Sequence, residues 1–185
     1  MSALTPTPGQ TVGPFFHYAL PYDGDREIVP PGTAGAIQLH GTVYDGAGAP
    51  IPDALIEIWQ AAHDGTVVQQ PGSLRRDGWT FTGFGRASTR RDGTYSLSTL
   101  VPGPTEEGAA AFFAVTVFAR GLTNRLFTRA YVPGDDAALA ADRLLGSVDE
   151  DRRGTLLAVE DAQGLRFDIR LQGADETVFL RFPGH

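Results

Sequence analysis

The chain has 185 residues, no cysteine and a formal net charge of −7, and every one of its 15 Lys+Arg positions is arginine. That length suits a single β domain with its own core, burying roughly 70% of the surface an extended chain exposes. The composition excludes disulfides and thiolate metal sites, the acidic balance disfavours a phosphate-backbone partner, and neither a membrane span nor a signal peptide is present, so a cytoplasmic location is expected.

Residues 1–35, rich in Pro, Gly and Thr, read as an irregular arm ahead of a β domain over residues 36–185. Ile37 to Tyr44 alternates, with Ile37, Leu39 and Val43 on one face and Gln38, His40 and Thr42 on the other, as a half-buried strand requires. Ala54 to Gln60 repeats this, placing Ala54, Ile56 and Ile58 inward and Glu57 outward. Further strands are predicted at Thr94–Leu100, Leu126–Val132, Thr155–Glu160, Leu165–Leu171 and Thr177–Phe182. The dipeptides Asp45-Gly46, Asp64-Gly65 and Asp92-Gly93 supply the positive φ of tight turns.

Ala110 to Ala119 is almost continuously apolar, which predicts a strand covered on both faces by its own chain or by a partner. Asp135 to Leu145, after Pro133-Gly134 and before Gly146, is the one short helix expected. Short strands separated by Gly and Pro punctuation give the predicted fold class: mostly β, a single-domain antiparallel β-sandwich.

The residues by themselves supply no complete catalytic or metal-binding constellation. His17, His40, His63 and His185 stand at no ligand spacing, and Tyr18, Tyr22, Tyr44, Tyr95 and Tyr131 are scattered. No G-x-S-x-G occurs. Gly83-Phe84-Gly85-Arg86 precedes a strand rather than a helix, which makes a phosphate loop a poor reading. The arginine pairs Arg75/Arg76, Arg90/Arg91 and Arg152/Arg153 read as solvated or in surface ion pairs.

Four blocks together carry a resemblance. They are Glu57-Ile58-Trp59-Gln60-Ala61 with Asp64-Gly65; Gly83-Phe84-Gly85-Arg86 with Thr89 and Asp92-Gly93-Thr94-Tyr95; the arm Thr7-Pro8-Gly9-Gln10-Thr11-Val12-Gly13-Pro14-Phe15; and Arg166 to Gly173 with Glu176-Thr177-Val178-Phe179. In this order and spacing the chain resembles the intradiol ring-cleaving dioxygenases, a β-sandwich family acting on catechols. The resemblance runs from about Thr7 to Phe182.

The resemblance implies a two-chain enzyme in which a β subunit, the partner of this α-type chain, binds non-haem Fe(III) through two tyrosines and two histidines. The four ligand positions fall here on Val67, Thr105, Phe112 and Ala114. Valine, phenylalanine and alanine offer no donor, and a threonine hydroxyl is a poor substitute for a phenolate. The resemblance therefore implies no metal in this chain, with the former site expected to be packed core. It also implies that Thr11, Gly13, Pro14 and Arg120 line the substrate pocket beside the partner's iron. Arg86, Arg125 and Arg129 are expected to be structural. Two other readings stand beside the enzyme subunit: a pure interaction module, and a free-standing binder of aromatic acids.

Overall fold

The structure, a computed structural model, describes residues 16–70 and 76–182. Its strands, in chain order, are β1 (Ile37–Tyr44), β2 (Leu55–Gln60), β3 (Phe84–Ser88), β4 (Thr94–Thr99), β5 (Phe112–Phe118), β6 (Leu126–Tyr131), β7 (Val159–Asp161), β8 (Gly164–Arg166) and β9 (Ile169–Arg170). One sheet runs β4-β1-β8-β7, with β9 also on β1; the other runs β3-β2-β5-β6. The second sheet is antiparallel throughout, whereas β8 and β9 join β1 in parallel.

The two sheets form a sandwich because each presents an apolar face. Leu39, Val43 and Leu97 of the first meet Ile56, Ile58, Val115 and Val117 of the second in one buried cluster. Each such side chain contributes about 1.5–3 kcal/mol on burial. The alternation read for β1 and β2 is the alternation observed. The segment before β1 also joins this core: Ile28 and Val29 are buried, and the Val29 amide donates to the Ser98 carbonyl. Arg76 locks that segment down, donating to the carbonyls of Gly24, Asp25 and Phe84 and to the Thr82 hydroxyl. It is a structural hub, not the solvated arginine its sequence context suggests.

Several elements differ from expectation, each for a polar reason. Leu165–Leu171 keeps its alternation but splits into β8 and β9. The Tyr95 hydroxyl donates to the Phe167 carbonyl (2.5 Å), and the Asp168 carboxylate accepts from the Thr42 amide (2.9 Å), so side-chain bonds replace the backbone ladder at that point while the register on β1 continues unbroken. Gly41 permits the close approach, since a Cβ there would stand 2.0 Å from the Phe167 oxygen. Within Thr155–Glu160 the first residues form a 3-10 turn, Gly154–Leu156, where the Thr155 hydroxyl donates back to the Arg152 carbonyl. Thr177–Phe182 forms no strand; a single bridge joins Leu180 to Phe127. Of the three Asp-Gly turns, Gly65 and Gly93 have positive φ, but in the first it is Gly48, not Gly46, that does.

The expected single helix is two: α2 (Asp136–Ala141) and α3 (Arg143–Ser147), in addition to α1 (Phe16–Ala19) and α4 (Glu150–Arg153). Asp142 causes the break. Its backbone is extended, its carboxylate caps α3 by accepting from the amides of Leu144 (2.9 Å) and Leu145 (3.0 Å), and it also accepts from the buried Tyr131 hydroxyl (2.9 Å). Burial pushes that phenol up to about 12, so it remains a donor. Asp142→Ala removes the cap and orphans the phenol; Tm is expected to fall by roughly 2–8 °C in a thermal melt.

Candidate functional site

β5 decides what faces out of the second sheet. Phe113, Val115 and Val117 point into the core, so Phe112, Ala114, Thr116 and Phe118 lie on the other face, half-buried. The second coat that the apolar run called for is thus incomplete among the described residues. Register sets Ala114 between Trp59 of β2 and Arg129 of β6. Trp59 packs on Phe84 at 4.7 Å between ring centroids, and the Arg129 guanidinium lies 3.8 Å from the Phe112 ring centroid. Arg129 also donates to the Tyr131 hydroxyl, Arg86 pairs with Glu57, and Arg125 covers Phe127: all three serve as structural cations within the chain.

Two loops complete the enclosure. In the loop after β2, the Gly65 amide donates to the Ala62 carbonyl, and the Asp64 carboxylate accepts from the Thr66 amide (2.9 Å). In the loop after β4, the Gly103 amide reaches the same Ala62 carbonyl (2.9 Å), and the Nδ1 atom of His63 lies 3.0 Å from the Val101 carbonyl. The loops touch backbone to backbone. A Cβ on Gly65 would stand 2.0 Å from the Pro104 oxygen, and one on Gly103 would stand 2.4 Å from the His63 oxygen. Only glycine fits either place.

This interlock brings Val67 and Thr105 to Phe112 and Ala114. All four positions carried over by resemblance line one pocket of about 170 Å³, together with Trp59 and Ala110. The expectation of packed core is corrected here. Alanine at 114 and at 110 leaves room among the described residues, and Trp59 is 46% exposed. Chemically the four positions offer a single neutral hydroxyl, which does not fit ferric iron. Gln60 offers little more: its amide nitrogen donates to the Leu100 and Ala61 carbonyls, and its oxygen accepts from Thr99. No cluster of three or more His, Cys, Asp or Glu suited to a metal occurs among the described residues.

Arg120 stands elsewhere. It follows the far end of β5, roughly 20 Å along the strand from Phe112. Its guanidinium donates to the Asp53 carboxylate, and the two differ sharply in exposure: 64% for the arginine side chain and 10% for the aspartate. A buried carboxylate therefore holds the base of an outward-facing cation. Asp53 carried no signal in the sequence, because strand periodicity does not reveal which loop acid becomes buried. Thr11, Gly13 and Pro14 lie outside the described residues. His40 pairs with Asp161 at 3.2 Å on the first sheet, away from this pocket.

Acidic turn residues brace the loops. Asp77 accepts from the Thr80 hydroxyl and from the amides of Thr80 and Trp79, which lower it to about 2; Thr66 and Thr94 hold Asp64 and Asp92 below the usual carboxylate range. A depressed carboxylate stabilises the folded state above its unfolded pKa, and that contribution disappears as pH falls through the folded value. These turns are therefore expected to hold to near pH 4 and to release from there down to about pH 2. Carboxyl chemical shifts across that range check this, with Asp77 titrating last of the three.

Comparison with known proteins places this geometry in a family. A dioxygenase family model matches residues 13–173. The chain is 38% identical over 197 residues to a protocatechuate 3,4-dioxygenase alpha chain from Burkholderia cepacia, covering 97% of this chain and 99% of that one. Its likeness to the beta chain from the same organism is lower, 31% over 163 residues, covering 78% and 68%. Among solved structures, the dioxygenase domain of a carbohydrate-binding fusion protein from Streptomyces sp. SirexAA-E superposes with a TM-score of 0.60 at 28% identity, covering 92% of this chain and all of that one. No helix among the described residues is long and apolar enough to cross a membrane. The chain belongs to the intradiol dioxygenases, a family of non-haem iron enzymes, and its sequence lies closer to the alpha than to the beta chain of protocatechuate 3,4-dioxygenase.

Proposed function

We propose that this chain is the iron-free α subunit of a protocatechuate 3,4-dioxygenase, acting in the cytoplasm with a β subunit that holds the Fe(III). The complex adds both atoms of O₂ to 3,4-dihydroxybenzoate and opens the ring between its two hydroxyl-bearing carbons, giving 3-carboxy-cis,cis-muconate. Fe(III) held by the partner would supply the activation of the bound catechol towards O₂. This chain contributes shape and charge.

The observation that carries the reading is the convergence of Val67, Thr105, Phe112 and Ala114 on one pocket. The four positions that the resemblance assigns to iron ligands share one pocket while their side chains lack the donors, which supports a subunit whose partner does the coordination. The near full-length likeness to an alpha chain supports the same choice over the beta chain.

Within the complex, the arm of residues 1–35 contacts the partner through its leading part, since Ile28 and Val29 are buried in this chain's own core. Its Thr11 hydroxyl and the close-approach backbone of Gly13-Pro14 line the substrate pocket beside the partner's iron. Arg120 reaches the same pocket, where its guanidinium meets the substrate's negative charge. Its exposure and its anchorage on Asp53 favour this, because a cation serving another chain must project from its own. Co-expression tests the proposal: oxygen uptake on 3,4-dihydroxybenzoate should require this chain together with a β-type chain. Full turnover by either chain alone would overturn it.

A further inference from the structure

The pocket on the outer face of β5 has lost the chemistry of a metal site but kept the room for a ring. We propose that it binds a small neutral arene, of the size of benzene or phenol, by dispersion and stacking alone. This inference concerns the present chain only and stands independently of the partner and of the substrate reading.

Size comes first. An enclosed apolar cavity of about 150 Å³ is sufficient to hold benzene, and this pocket, which opens to solvent at Trp59 and Val67, offers about 170 Å³. Its walls suit a flat apolar guest: the Trp59 indole and the Phe112 ring offer aromatic surface, and Val67, Val68 and Ala114 offer aliphatic surface. Aromatic contacts favour offset or edge-on packing at centroid separations of about 4.5–7 Å.

Polarity sets the selectivity. Among the described residues, no charged side chain lines the pocket. The nearest cation among the described residues, Arg129, already stacks on Phe112 and donates to the Tyr131 hydroxyl, so a carboxylate placed there would lose water for at most a shared cation, which is costly. The Thr105 hydroxyl can accept from or donate to one small polar substituent, so phenol is admitted as readily as benzene. The guest is thus a ring without a carboxylate, held without a metal.

Ligand-observed saturation-transfer NMR on the full-length chain tests this with benzene, phenol and benzoate as probes. Two variants localise the binding. Ala114→Leu extends from the outward face of β5 between Trp59 and Arg129, so its added carbons enter the pocket and not the core. Val67→Asp places a charge on an exposed loop position, 61% accessible, where folding tolerates it. Benzene and phenol should show transfer at millimolar concentration, benzoate should bind at least tenfold more weakly, and each variant should lower benzene affinity at least tenfold. No transfer from benzene and phenol, equal binding of benzoate, or transfer unchanged in both variants would each overturn the proposal. Iron content and turnover of the co-expressed complex are separate readouts, so this site can fail while the subunit assignment stands.

Discussion

Arg120→Ala, assembled with the β subunit, is expected to lower kcat/KM for protocatechuate by roughly 10- to 100-fold, the equivalent of losing one charge-assisted hydrogen bond of about 1.5–3 kcal/mol. The iron content of the complex should not change, because the variant touches no ligand. The substitution also has a structural cost. It leaves the buried Asp53 carboxylate without its cation. A buried carboxylate left in this way destabilises the fold by about 1–3 kcal/mol, at the lower end because Arg120 itself is largely in water.

The double variant Asp53→Asn/Arg120→Met separates these effects, since neither charge is then stranded. Its unfolding midpoint should return towards the parent while kcat/KM stays low. Steady-state kinetics and urea unfolding on the same preparations measure both. Parent-like kinetics in the double variant would assign Arg120 to the fold alone, and the chain would then act as an interaction module.

Gly65→Ala is expected to produce the largest loss of stability, on the order of 3–5 kcal/mol. Two penalties combine there. The residue sits at φ 85°, where an L side chain is strained, and its Cβ would strike the Pro104 carbonyl at 2.0 Å. Neither atom belongs to a flexible side chain, so one of the two loops must move. Gly48→Ala is the matched control, since its φ is 79° and nothing lies within 4 Å of its would-be Cβ. It should cost only about 1 kcal/mol, the conformational part. Urea denaturation of the two variants isolates the steric part. Because the displaced loops carry Val67 and Thr105, Gly65→Ala should also weaken benzene binding, whereas Gly48→Ala should not.

Local alternation gave much of the fold. β1 is legible residue by residue because its apolar and polar positions alternate without exception from Leu39 to Val43. β5 is legible as a strand but not as to its faces: phenylalanine, alanine and valine fall on both sides, and only the opposing sheet decides that Phe113 goes in and Phe112 stays out. The breaks escaped notice because their causes are distant in sequence. Tyr95 reaches Phe167, Asp168 reaches Thr42, and Tyr131 reaches Asp142 across a helix boundary. Periodicity carries no term for such contacts.

The candidate site was legible only through resemblance. Val67, Thr105, Phe112 and Ala114 contain nothing that marks them, and it is the pairing of β2 with β5, together with the Gly65–Gly103 contact, that assembles them. That the space stays open was hidden as well. A run of apolar residues implies filling, yet filling depends on volume, and alanines at 110, 111 and 114 supply little. Arg76 shows the same limit in reverse: an arginine pair in a polar loop looks solvated until the carbonyls it serves converge on it.

All of this turns on where the ferric ion resides. Metal analysis and a visible spectrum of the full-length chain, purified without its partner from iron-replete cells, address that question directly. The expected sample is colourless and binds iron only in trace, with iron appearing one per pair once the β subunit is present. A lone chain carrying one ferric ion, with the visible absorption of a tyrosinate ligand, would contradict the account.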